Sequence, residues 1–125
     1  MATAAHSISA QTSALLATAR ETLRRDDTIA AIRAALRDRS GKSWSVTGGR
    51  GTAYGWLKIA SPKSRCADEW GSMTADECAE LARLLGLGRV HTSGESVPSG
   101  HDYYRQYLDL AERGETEIKA RPYWD

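Results

Sequence analysis

Apolar residues recur with a helical period before Gly41 and with a period of two just beyond it, and that change of spacing decides the fold class. Leu15, Leu16, Ala19 and Leu23 form the stripe of a helix over residues 9–25. Ile29, Ile32 and Leu36 form a second stripe, with Asp26 and Asp27 placed to cap its helix and Gly41 to end it. Residues 43–47 (SWSVT) and 53–60 (AYGWLKIA) then alternate as the two strands of a hairpin do, until Pro62 opens a polar loop. MTADE at 73–77 is a helix start, with Thr74 and Glu77 as a capping box and Met73 stapled onto Cys78. That helix runs through Leu81, Leu84 and Leu85 to Gly86 and buries Cys78 on its stripe. A Gly-rich connection, with a short strand around 89–92, leads to a last helix capped by Ser99 or Asp102. Tyr103, Tyr107 and Leu110 share one of its faces, and Gly114 follows its end at Arg113.

The chain therefore reads as α+β: N-terminal helices, a β-hairpin or small antiparallel sheet, and two C-terminal helices packed on one face. Residues 9–114 are expected to form a single domain, with 1–8 a disordered terminus and 115–125 a C-terminal tail. At 125 residues such a domain has room for a core that needs no disulfide or metal. No apolar run approaches the roughly 20 residues that span a bilayer, and no leader precedes it, so the reading is a cytoplasmic protein without a membrane partner. In that compartment Cys66 and Cys78 are expected as free thiols.

A formal net charge of +1 conceals two halves of opposite sign. Residues 1–65 carry 11 Lys and Arg against 4 Asp and Glu, and residues 66–125 carry 6 against 12. The split has two readings: a basic face for polyanions, built from Arg20, Arg24, Arg33, Arg37 and Lys42, or mutual neutralisation across the fold.

Motifs for catalysis and cofactors are incomplete. Ser40-Gly41-Lys42-Ser43 ends like a phosphate-binding loop, but Leu36 stands where that loop needs glycine, and a helix precedes it where a strand is required. Gly49, Gly51 and Gly55 are spaced too widely for a dinucleotide fingerprint. Cys66, Cys78, His91 and His101 lack the close pairs of a zinc site. Ser99, His101 and Asp102 are read as a helix start rather than as a nucleophile with its base. No cofactor, metal or catalytic residue is assigned.

GGRGTAYGW at 48–56 is the densest unusual stretch. Gly48, Gly49 and Gly51 are expected at a hairpin tip with positive φ angles. Period two puts Tyr54, Trp56 and Lys58 on the face opposite Leu57 and Ile59, with Arg50 at the tip. A cation beside flat aromatics suits stacking on bases or clamping a partner. A helix covering that face would instead make the aromatics core.

Three stretches, KSWSVTGGRGTAYGWLKI, MTADECAELARLLGL and HTSGESVPSGHDYYRQYLDLAE, together resemble one of the large polyvalent protein-associated domains, with the Gly-Arg-Gly-Thr-Ala-Tyr-Gly-Trp run the most specific part. The resemblance covers about residues 28–113. Such modules are carried in long phage and conjugative-element proteins delivered with invading DNA, and are associated with protecting that DNA from the host. This chain departs in placing its own basic helix in front, and no catalytic residue carries over. The resemblance implies a non-enzymatic accessory protein that binds a host protein or nucleoprotein defence complex, such as a CRISPR effector, and blocks it. The other two readings are a stand-alone module binding DNA or RNA through the basic half and the hairpin, and an enzyme whose site no motif marks. The oligomeric state is left open.

Overall fold

The computed structural model describes residues 8–61 and 73–114. In chain order they form α1 (Ala10–Thr22), α2 (Arg25–Ser40), β1 (Ser45–Gly48), a 3-10 turn (Gly51–Ala53), β2 (Leu57–Ala60), α3 (Ala75–Leu85), β3 (Glu95–Val97) and α4 (His101–Arg113). The strands make an antiparallel sheet in the order β1-β2-β3. The α+β class with helices at both ends of the chain is the one its apolar spacing dictates. Ile8 is half-buried against the core. The tail 115–125, Cys66 and Pro62 lie outside the described residues.

The helix boundaries follow local chemistry, with two corrections. Ser9 caps α1, its Oγ accepting from the Thr12 N–H at 3.1 Å. The α3 capping box is complete: the Glu77 N–H donates to Thr74 Oγ1 at 3.1 Å and the Thr74 N–H to Glu77 Oε1 at 2.9 Å. Gly41 and Gly86 end their helices in the left-handed conformation, and Gly114 follows α4 at φ +59°. Asp26 and Asp27, however, do not cap α2. The helix starts at Arg25, so both carboxylates lie in its first turn, where they meet the positive end of the helix dipole, and Asp27 accepts from the Thr22 hydroxyl at 2.7 Å. Likewise Gly100, at φ 133°, occupies the N-cap of α4; Ser99 precedes the cap and Asp102 follows it.

Burial refines the stripes. α1 buries Thr12, Leu16, Ala19 and the adjoining Leu23, and leaves Leu15 40% exposed. α2 buries Thr28, Ala31, Ile32, Ala35, Leu36 and Arg39, with Ile29 only half-buried. On α4 the buried residues are Tyr104, Tyr107, Leu108, Leu110 and Ala111, and Tyr103 is partly buried against the core. Cys78 is half-buried and packs against the core, its Sγ 3.7 Å from the His91 carbonyl oxygen, and burial pushes its thiol pKa up. The third strand lies at Glu95–Val97, six residues beyond the expected position, while His91 forms only a single bridge to Gly94.

Strand register separates two sheet faces. Val46, Leu57, Ile59, Glu95 and Val97 are buried on one side, against which α2 and α4 lie; Thr47, Lys58 and Ser96 line up exposed on the other. The Gly49 N–H donates to the Trp56 carbonyl at 2.8 Å. Alternation from that bond turns the Val46 backbone toward the open edge of β1. There Arg33 Nη2 donates to the Val46 carbonyl at 2.9 Å, covering an edge that would otherwise offer unpaired groups.

α2 packs against α1, α3, α4 and β1, and its buried Arg39 ties this arrangement together. Arg39 Nη1 donates to the Leu84 carbonyl in the last turn of α3 and, at 2.9 Å, to the Ala111 carbonyl in the last turn of α4. A cation at two converging helix C-termini satisfies carbonyls that have no partner within their own helices and meets both dipoles at their negative ends. Gly114 is required beside it, because a Cβ there would fall 2.5 Å from the Leu84 carbonyl oxygen.

These contacts generate two predictions. Arg39→Met should lower the free energy of unfolding by about 3 kcal/mol or more, since it strands buried carbonyls, with urea titration as the measurement. Arg39→Lys should recover only part of this, because an ammonium lacks the planar fork. Asp38 accepts from the Ser9 N–H at 2.9 Å. Hydrogen bonds from the Thr12 hydroxyl and then the Ser9 N–H hold its carboxyl below the usual carboxylate range. The native state therefore binds the Asp38 proton less readily than the unfolded chain does. Its stabilisation is complete above the unfolded value and disappears as pH falls through the lowered native one. Asp38→Asn should thus destabilise at neutral pH, and the gap to the parent should close on acidification below about pH 4.

Candidate functional site: the hairpin tip

The hairpin tip is built from Gly48 to Trp56 and is held from two sides. Arg25, in the first turn of α2, reaches across to it: its Nη1 donates to the Gly49 carbonyl at 2.9 Å and to the Tyr54 carbonyl at 3.0 Å. Its guanidinium also lies over the Tyr54 ring, 3.8 Å from the centroid. From the other side, the Tyr104 hydroxyl on α4 donates to the Gly55 carbonyl at 2.5 Å, and burial pushes the phenol pKa up.

Close approach by other residues explains two of the glycines. A Cβ at Gly48 would fall 2.7 Å from Arg25 Nη1, and one at Gly55 would fall 2.4 Å from the Ser99 Cβ. Both positions admit close approach by another element. Of the three glycines expected at positive φ, only Gly51, at +59°, adopts it; Gly48 and Gly49 do not.

Tyr54 is 59% exposed and Trp56 36% exposed, and with Leu15 they are the exposed large hydrophobics among the described residues. Neither lies on a strand, since β2 begins at Leu57. Their exposure comes from the 3-10 turn and the residues that follow it, and only Lys58 belongs to the alternating row. Arg50, which precedes the turn, is exposed.

The basic residues divide into two groups. Arg20 pairs with Asp109 at 2.9 Å and with Glu112. Burial works against its charge, but hydrogen bonds to Glu112 and Asp109 outweigh this and raise its pKa. Lys42 pairs with Glu80 at 2.5 Å, beside an open cleft of about 410 Å³ lined also by Thr74, Asp76 and Glu77. Those two cations join the basic half of the chain to the acidic half. Arg24, Arg33 and Arg37 lie on or beside α2 and are at least partly open to solvent. Arg37 Nη1 donates to the Ser43 hydroxyl, as Arg33 does to the Val46 carbonyl.

The other candidate groups are dispersed. Asp102 pairs with Arg105 at 3.3 Å, and Ser99 packs against Gly55. Among the described residues no group of three or more His, Cys, Asp or Glu is placed to hold a metal ion, and no helix is long and apolar enough to cross a membrane.

Arg25 is the tip residue that no sequence pattern marks. In sequence it is one of several α2 arginines, and its partners lie 24 and 29 residues away. No family model matches the chain, and no curated protein or solved structure matches it.

Removing the clamp should loosen the tip without unfolding the domain. Arg25→Ala should cost about 2 kcal/mol in chemical denaturation, the scale of one part-buried and one exposed charge-assisted hydrogen bond and one cation–π contact. Amide exchange should rise at Gly49–Trp56 while the β2–β3 amides keep their protection.

Proposed function

We propose that this protein is a non-enzymatic accessory of a phage or conjugative element, which docks through its hairpin tip on a host nucleic-acid-targeting defence complex and blocks it. The observation that carries the contact surface is the exposure of Tyr54 and Trp56 together on a tip clamped by Arg25 and Tyr104. Aromatic and arginine side chains dominate binding energy at interfaces, and a surface ordered before binding loses less entropy on association. The mobile-element setting rests on the likeness of the three stretches to the polyvalent-protein domains.

A stand-alone nucleic-acid-binding module is the second reading, favoured by the solvent access of Arg24, Arg33, Arg37, Arg50 and Lys58. The withdrawal of Arg20 and Lys42 into ion pairs reduces the basic face that this reading requires.

Plaque assays separate the two. In cells whose CRISPR effectors target an infecting phage, expression of the protein should restore plaquing. Arg50→Ala with Tyr54→Ala should abolish that protection while costing less than about 1 kcal/mol of stability. A protein that binds DNA or RNA in vitro yet protects against none of the effectors tested belongs to the second reading.

A further inference from the structure

The seam between α2 and β1 has a chemistry of its own. Arg25, Arg33 and Arg37 fall on one flank of α2, at spacings of eight and four residues. Their backbone and side-chain partners advance along the hairpin in the opposite direction: Ser43 for Arg37, Val46 for Arg33, Gly49 and Tyr54 for Arg25. Helix and strand therefore run antiparallel with a line of guanidinium groups between them, about 18 Å long at the helical rise. Arg33 and Arg37 each use one nitrogen in these bonds and keep access to solvent, which leaves most of each five-donor fork available. Of the other carboxylates of the helix, Asp27 accepts from Thr22, and Asp38 accepts from Ser9 while also feeling the charge of Arg37. Asp26 sits at the end of the row, 3.6 Å from Arg25 Nε.

The row ends at an aromatic platform. Arg25 covers one face of Tyr54, and the ring is nonetheless 59% exposed. A ring backed by a cation has its electron density drawn to that side, so its outer face suits a flat, electron-rich group better than a second cation. Arg50, which precedes the turn that Tyr54 follows, is exposed.

We infer that the α2–β1 seam and Tyr54 hold an unpaired strand of nucleic acid, with phosphates along Arg37, Arg33 and Arg50 and one base stacked on Tyr54. Cations placed along a line match a polyanion, and the planar fork of arginine matches phosphate. The stacking partner distinguishes a single strand from a duplex, whose bases are already stacked on one another. An acidic protein surface would satisfy the guanidiniums but leave the platform unused. This inference rests on the reading of the tip as the contact surface, and it makes the docking target the strand that a nucleic-acid-targeting complex exposes.

Fluorescence anisotropy of the whole protein tests it, with a labelled 12-nucleotide single-stranded DNA, its RNA counterpart, the matching duplex, heparin and a polyglutamate peptide as probes. Either single strand should bind at least about tenfold more tightly than the duplex, heparin or polyglutamate, and the DNA and RNA arms decide which strand is preferred. Tyr54→Ala should lose about tenfold for the single strand, and Tyr54→Phe should keep it. Arg33→Gln with Arg37→Gln should weaken binding and reduce the salt slope by about 0.7 for each phosphate no longer neutralised, while Arg89→Gln, an exposed arginine of another loop, should change nothing. Arg37→Gln alone serves the same purpose if the double variant opens the β1 edge and unfolds. Equal binding of heparin and single strand with no dependence on Tyr54 would reduce the seam to a generic cationic patch, and tighter polyglutamate binding would make its partner an acidic protein. Either result, or no binding of any probe, overturns the inference. Phage protection that persists without oligonucleotide binding sinks this inference and leaves the proposed function standing; oligonucleotide binding without protection does the reverse.

Discussion

A single buried guanidinium sets the arrangement of the helices. Arg39 lies on the inner face of α2, where most of its neighbours are aliphatic, and a charge there is tolerable only when its donors are matched. The carbonyl ends of α3 and α4 supply the match, so both C-termini must converge on one point of α2. That convergence fixes how α4 crosses α2 and brings Tyr104 over the hairpin. Glu95 of β3 and Tyr107 of α4 are tied by a buried hydrogen bond on the same layer, which seats the third strand under the helix. The polar groups of the core thus specify one packing among the several that its leucines alone would accept.

The tip inherits its order from those helices. Isolated hairpin loops of this glycine content lose much conformational entropy when fixed. Here the cost is met outside the hairpin, by Arg25 from the start of α2 and Tyr104 from the start of α4. Both clamps donate to carbonyl oxygens, Arg25 also backs one face of the Tyr54 ring, and Tyr54, Trp56 and Arg50 keep exposed surface. An exposed surface held from beneath is what recognition by aromatic and cationic groups needs.

Features governed by neighbours in sequence are legible without the fold. The Thr74–Glu77 box, the glycine stops at 41 and 86, and the alternation that buries Leu57 and Ile59 each depend on residues within a few positions of one another. The N-terminus of α2 reads too late in the sequence because two aspartates look like caps wherever they fall in the first turn. β3 escapes the sequence because a three-residue strand has no period of its own; its register comes from Leu57 to Ile59 across the chain. At the tip, composition points to Arg50, Tyr54, Trp56 and Lys58, and all four are exposed, but the strand alternation invoked for the aromatics begins only at Leu57. Arg25, Arg39 and the purpose of Gly48 and Gly55 are invisible for one reason. Each is explained by an atom more than 20 residues distant, and no local pattern distinguishes a clamping arginine from a solvated one.

The position of Arg39 also bears on how the chain is made. During synthesis α1 and α2 leave the ribosome well before residues 84 and 111, whose carbonyls are the counterparts of that guanidinium. Until those residues emerge, Arg39 lacks these two carbonyl partners, and burying its charge without them is costly. The full set of contacts made by that side chain therefore becomes available only after the last turn of α4 has been made.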